Sequence, residues 1–158
     1  MIVEPRPPRE VLEAVRAPLR EGATAVDPPL VQPLNLLLDL LGETLRTHVL
    51  VVQTNGPEAC LRPDFTAAVA REHLARGGDV GRCFYEGAAF RAAPDEEFLQ
   101  VGLELIGEAD AEAADAEIAS RAWRSASAGG RSDLVLVVGD LGLFDAFCGG
   151  IGLGEGTR

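Results

Sequence analysis

Two runs of β-type sequence, residues 82–91 and 98–106, stand so close together that they dictate a hairpin and with it an antiparallel sheet. Side chains alternate faces along a strand. In the second run Leu99, Val101, Leu103 and Leu105 therefore make one apolar face, and Phe98, Gln100, Gly102, Glu104 and Ile106 make the other. Apolar residues on both sides mean that both faces are covered, so Gln100 and Glu104 are expected in a largely enclosed place. Gly102 leaves a gap between them where a ligand could rest. In the first run Arg91 shares a face with Tyr85, Gly87 and Ala89, at the end of a lane of small side chains. A guanidinium so placed either grips a carboxylate or phosphate or pairs structurally with Glu104 or Asp64. Buried polar groups cost free energy unless partnered. Asp64, Thr66, Arg91, Gln100 and Glu104, all set into apolar runs, together predict a small-molecule pocket.

The rest of the chain frames that hairpin. Val11, Leu12, Val15 and Leu19 predict a helix over 8–21, kinked or ended early by Pro18 and stopped by Gly22. A short strand over 23–26 ends at Pro28 and Pro29. Leu34, Leu37, Leu38 and Leu41 mark one face of a helix before Gly42, read as core in preference to a dimer seam. A strand over 49–53, the turn Asn55-Gly56-Pro57 and a returning strand over 60–62 come next. From Asp64 the period turns helical, with Phe65, Val69 and Leu74 on one side and Gly77-Gly78 at the end. Asp64 at that corner either caps the helix or touches a ligand. Residues 110–128 predict a helix whose acidic first turn suits the dipole and whose acidic run is a solvated face. A buried strand is expected over 134–138. Asp140 is expected to cap a last helix holding Leu141, Phe144 and Phe147. The domain is expected to span 1–148, with 149–158 a glycine-rich tail or point of truncation.

At 158 residues the chain is long enough for one domain with a real core. A net charge of −11 would repel a phosphate backbone or an anionic bilayer, so neither nucleic acid nor membrane is expected as a partner. The first residues lack the apolar core of a signal peptide, which makes a cytoplasmic location the expectation. Cys60, Cys83 and Cys148 are widely spaced without a CxxC pair and read as reduced structural thiols. His48 and His73 do not form HExxH, and no P-loop or GxSxG is present; Gly150, Gly152 and Gly154 do not sit between a strand and an opening helix. No metal, cofactor or catalytic residue is expected.

The ordered segments Leu61-Arg62-Pro63-Asp64-Phe65-Thr66, Phe90-Arg91 and Gln100-Val101-Gly102-Leu103-Glu104-Leu105-Ile106-Gly107 resemble the central motifs of class II histidyl-tRNA synthetases. They resemble still more closely the catalytically silent relatives of those enzymes, the regulatory subunits of short-form ATP phosphoribosyltransferase. Residues 26–34 and 138–144 also look like that family. The resemblance implies an α+β domain, an antiparallel sheet flanked by helices, like part of a class II aminoacyl-tRNA synthetase catalytic core. It implies that Asp64 and Thr66 hold the α-amino group of a histidine-like ligand, that Arg91 grips a carboxylate, and that Gln100 and Glu104 contact the amino acid and its imidazole. Departures from the synthetases point away from adenylation. Ala93 stands where they carry a glutamate, and Asp95, Glu96 and Glu97 would repel ATP and tRNA phosphates. The implied role is noncatalytic. It is that of a self-associating dimer that joins a short-form ATP phosphoribosyltransferase catalytic subunit for the first step of histidine synthesis, with histidine as a feedback ligand. The alternatives are a fragment of a histidyl-tRNA synthetase that activates histidine with ATP, and a structural remnant that binds nothing.

Overall fold

The computed structural model describes residues 8–92 and 95–152. In chain order the elements are α1 (Arg9–Arg20), β1 (Thr24–Val26), β2 (Val31–Pro33), α2 (Leu34–Leu41), a 3-10 turn (Glu43–Thr47), β3 (Val51–Val52), β4 (Ala59–Leu61), α3 (Thr66–Ala75), β5 (Gly81–Ala92), β6 (Asp95–Ile106), α4 (Ala111–Ala128) and α5 (Leu141–Gly150).

The hairpin forms and is longer than the sequence suggested. β5 and β6 pair antiparallel from Gly81 opposite Ile106 to Ala92 opposite Asp95. Most of the connection expected over 92–97 is therefore strand, and Ala93 lies outside the described residues. Acidic side chains did not end the strand, because backbone pairing at a hairpin tip leaves a side chain such as Glu97 in water. β1 joins the other edge of β5 in parallel, giving the order β1-β5-β6, while β2-β4-β3 form a second, antiparallel sheet. β2 was not expected: Pro33 ends it, and a proline argues against a strand except at a margin such as this.

Each face of the hairpin has its own cover. Phe84 and Leu103 pack with Leu19 of α1 and Ile118 of α4 on one side. Cys83 and Tyr85 pack with Phe65 and Val69 on the other, beneath α3. Leu34, Leu37 and Leu38 are buried with Val49 and Cys60, so the leucine stripe is core. Pro18 does not end α1; the helix runs on to Arg20. Side chains of α4 reach carbonyls in the C-terminal half of α1. Ser125 Oγ donates to the Val15 carbonyl at 2.8 Å, and Arg121 Nη1 donates to the Pro18 carbonyl at 3.1 Å. The three cysteines are free and buried, as expected. Among the described residues no helix is long and apolar enough to cross a membrane.

One expectation fails clearly. Residues 134–138 are not a buried strand: they run irregular and open, with Val135 82% and Val137 86% exposed. A continuous apolar run has the composition of a buried strand, but burial needs a neighbouring edge, and no described strand lies alongside. Asp140 does cap α5, accepting from the Leu143 N–H at 3.1 Å, and α5 extends through Gly149 and Gly150.

Candidate functional site

Four of the five expected residues gather around a side chain that the sequence marked only as the wall of a lane, Tyr85. It stands opposite Gly102 in the hairpin register, so Tyr85, Gly102, Gln100 and Glu104 share one face of the sheet, with Cys83 opposite Glu104. The gap at Gly102 is not left for a ligand. A Cβ there would lie 2.2 Å from the Tyr85 hydroxyl oxygen, which takes that space itself. At Gly87 a Cβ would stand 2.9 Å from Arg62 Nη2 and 3.0 Å from Phe65 Cζ. The lane of small residues is thus the seat of a stack. The Arg62 guanidinium lies 3.6 Å from the centre of the Phe65 ring, and that ring lies 4.5 Å from the Tyr85 ring with 9° between their planes. This corrects the expectation of an open lane. Protein interiors are packed like organic crystals: Tyr85 of β5 itself fills the gap at Gly102, and Phe65 with Arg62 fills the one at Gly87.

The polar groups converge on the Tyr85 hydroxyl. Gln100 Nε2 donates to it across 3.5 Å, at the limit of a hydrogen bond. Burial first, then the charge of Glu104, holds the phenol neutral and raises its pKa well above the ordinary value; Asp64 adds to the same effect. Thr66, the first residue of α3, donates its hydroxyl to Glu104 Oε1 at 2.9 Å. α3 takes Phe65 as its N-cap with no side-chain hydrogen bond, so Asp64 is not used in capping. Gln100 Oε1 is buried without a partner, a condition that costs about 1–3 kcal/mol and that a ligand's N–H would relieve.

Arg91 is not brought into this cluster. It lies opposite Glu96, four residues from Gln100 and eight from Glu104, or about 14 and about 27 Å along the strand. Its guanidinium is exposed and rests 4.7 Å from the centre of the Phe98 ring. The structural pairs considered for it with Glu104 or Asp64 do not form.

Arg62 is the residue whose importance sequence reasoning missed. β1 covers the outer edge of β5 only as far as Tyr85. Beyond it Arg62, 4% exposed, stands in for a strand. Its Nε and Nη2 donate to the Ala88 carbonyl at 3.1 and 3.0 Å, its Nη1 donates to the Pro28 carbonyl at 2.6 Å, and its own carbonyl accepts from the Phe90 N–H at 2.9 Å. Burial lowers the guanidinium's pKa, and the Asp27 charge works against that. The available signal was an arginine set in an apolar strand end immediately before a proline.

Asp64, Glu104 and the unpaired amide oxygen of Gln100 form a set of acceptors, and the nearby cation, Arg62, lies behind Phe65 with its donors engaged. Such a set suits the ammonium or imidazole end of a small ligand. A thiol nucleophile does not emerge: Cys83 approaches His73 Nδ1 at 3.9 Å, but burial pushes the thiol pKa up. Two clefts, each of about 300 Å³, lie under α4 and at the end of α3, and neither is lined by Asp64, Thr66, Arg91 or Glu104.

Tyr85 is the chain's one tyrosine, so absorbance of the phenolate titrates this site alone. Its pKa is raised in the folded state, so the stability it contributes is complete below the unfolded value of about 10 and is lost as pH rises from there towards the folded pKa. The ionisation midpoint is expected clearly above 10 in the folded chain, and Glu104→Gln should lower it. A midpoint at the free-tyrosine value would show that the hydroxyl is not held as described.

Comparison with known proteins agrees with this architecture. The Histidyl-tRNA synthetase family model matches residues 9–158. The ATP phosphoribosyltransferase regulatory subunit of Brucella anthropi is 37% identical over 154 residues, covering 94% of this chain and 41% of that protein. Its counterpart in Brucella ovis is 36% identical over the same shares. The chain thus spans well under half the length of these relatives. Among solved structures, an ATP phosphoribosyltransferase regulatory subunit/histidyl-tRNA synthetase from Bacillus halodurans superposes with a TM-score of 0.67 at 24% identity, over 77% of this chain and 34% of that one. A pyrrolysyl-tRNA synthetase of Desulfitobacterium hafniense gives 0.66 at 21% identity, over 83% of this chain and 48% of that one. The fold is the class II synthetase type, and with the family match running over nearly the whole sequence, the chain belongs to the histidyl-tRNA synthetase family.

Proposed function

We propose that this chain serves histidine biosynthesis as part of a noncatalytic regulatory subunit of ATP phosphoribosyltransferase. The observation that carries this reading is the 37% identity to a regulatory subunit across 94% of the chain. The site chemistry supports it, since acceptors gather at Asp64, Gln100 and Glu104 without an activated nucleophile. In this reading the subunit works in the cytoplasm, dimerises, and assembles with a short-form catalytic partner that joins ATP to phosphoribosyl pyrophosphate. Histidine is its ligand. The ammonium or imidazole meets Asp64, Thr66, Gln100 and Glu104, and feedback arises if histidine binds two assembly states unequally. The Arg91 guanidinium, resting on the Phe98 ring two residues before Gln100 on the same face, is the cation left to meet the carboxylate.

Thermal unfolding in the presence of histidine tests the site. A ligand at a hundred times its dissociation constant adds about 2.7 kcal/mol to stability, and Glu104→Gln should abolish most of that shift. Histamine, which lacks the carboxylate, is expected to stabilise less than histidine. No stabilisation by excess histidine overturns the ligand assignment. The regulatory role is tested apart from it, by adding the chain to a short catalytic subunit: unchanged phosphoribosyltransferase activity there would remove the role.

A further inference from the structure

Tyr85 stands at the centre of the polar cluster, although it is not one of the five residues expected to meet a ligand. Its hydroxyl lies over Gly102, where a Cβ would collide with it. Gln100 and Glu104 flank Gly102 on the same face of β6, so the phenol reaches both. Gln100 Nε2 donates to the hydroxyl across 3.5 Å, and Glu104 acts on it by charge and through a hydrogen bond.

A phenol has one proton to donate. Burial keeps Tyr85 neutral, and its two neighbours compete for that proton. A charged carboxylate can only accept, and a hydrogen bond to it is about twice as strong as one between neutral groups. The proton is therefore directed at Glu104. The phenol oxygen is left as an acceptor, so Gln100 must turn its NH2 towards Tyr85. That turn makes Oε1 the end of the amide that lies buried without a partner. Thr66 is also a donor to the carboxylate, at 2.9 Å from Glu104 Oε1. Both hydroxyls are thus engaged by Glu104, and neither has a proton left for a ligand.

We propose that Tyr85 is the residue that sets the polarity of this site. By accepting from Gln100 and donating to Glu104, its hydroxyl holds the Gln100 amide with the carbonyl end as the free acceptor. The cluster then selects a ligand group that brings N–H, an ammonium or a protonated ring nitrogen, over one of the same shape that brings only lone pairs. That selectivity rests on the histidine reading above, whereas the orientation of Gln100 is set within the hairpin whatever closes over it.

Tyr85→Phe separates the hydroxyl from the ring. The ring keeps its stack on Phe65, so circular dichroism and cooperative unfolding should match the parent. Calorimetric affinity for histidine should fall about tenfold or more, because the amide is then free to turn its NH2 against the ligand's own donors. Adding Gln100→Glu to Tyr85→Phe tests the reason. A carboxylate accepts whichever way it turns, so affinity should recover. Gln100→Glu alone sets an acceptor against the phenol oxygen and should give no gain. An unchanged affinity in Tyr85→Phe overturns the proposal, as does an equal effect of Gln100→Glu with and without the hydroxyl. A parent chain that does not bind histidine removes the ligand reading instead, and the orientation is then decided without ligand. Nuclear Overhauser contacts from the Gln100 side-chain NH2 protons to the Tyr85 ring are expected in the free chain, and their absence overturns the proposal.

Discussion

Replacing Phe65 by alanine is expected to destabilise the fold by about 3–5 kcal/mol, the range for truncating a fully buried aromatic. The ring is 0% exposed and lies between the Arg62 guanidinium and the Tyr85 ring. Its loss opens a cavity over Gly87 and frees both neighbours at once. In a chain of this size that corresponds to a fall in Tm on the order of 10 °C. Phe65→Leu keeps much of the volume but not the stacking, and should lose clearly less. The two variants separate packing from ring contact when their denaturation midpoints are compared. Equal losses would mean that the stack contributes nothing beyond filled space.

Arg62→Met should be nearly as damaging, at about 3–5 kcal/mol, because it leaves buried acceptors that had a charged donor. Methionine fills similar volume, so the loss reports hydrogen bonds and charge. The Ala88 carbonyl would lose two donors and the Pro28 carbonyl one, and Asp27 would lose the cation nearby. Arg62→Lys keeps the charge but not the fork that reaches both carbonyls, and an intermediate loss is expected. Denaturant midpoints measure the cost. Amide exchange at Phe90, whose N–H donates to the Arg62 carbonyl, shows whether the edge of β5 has come loose. A Met variant as stable as the parent would mean that water replaces the guanidinium at little cost.

Much of this architecture was legible in the sequence, for identifiable reasons. Alternation along the 98–106 run reports which side chains share a face, and Gln100 and Glu104 do lie together, with Tyr85 across from Gly102. Spacing reports helices well, and α1, α2, α3 and α4 lie where it put them. Periodicity shows that a face is covered but not what covers it. That is why the gap at Gly102, read as room for a ligand, holds Tyr85, and the lane at Gly87 holds Phe65 and Arg62. The same limit explains residues 134–138: their composition promises burial, which is a property of neighbours. Arg91 lies apart from the other four along the backbone for a different reason. Sharing a face was taken for proximity, and only the register shows that four further residues of strand separate it from Gln100. The family resemblance did place Asp64, Thr66, Gln100 and Glu104, and these are the four that converge.

The contrast between the hairpin and β1 bears on how the chain assembles. β5 and β6 pair from Ala92 opposite Asp95 onward, so their pairs zip outward from a local closure, an event of about 1–10 μs in isolated hairpins. β1 must wait for a much larger loop to close, since Thr24 meets Cys83 only across α2, the second sheet and α3. Loop closure costs entropy before its contacts return anything. Tyr85, Gln100 and Glu104 therefore come into register early, on the hairpin itself, whereas Asp64 and Thr66 arrive with the long-range docking of α3. The hydrogen bond from Thr66 to Glu104 joins residues 38 apart in sequence, and it closes only when those two stages meet. The cluster around Tyr85 is thus the seam between the fast and slow parts of folding, and its closure is also a sign that the slow part is complete.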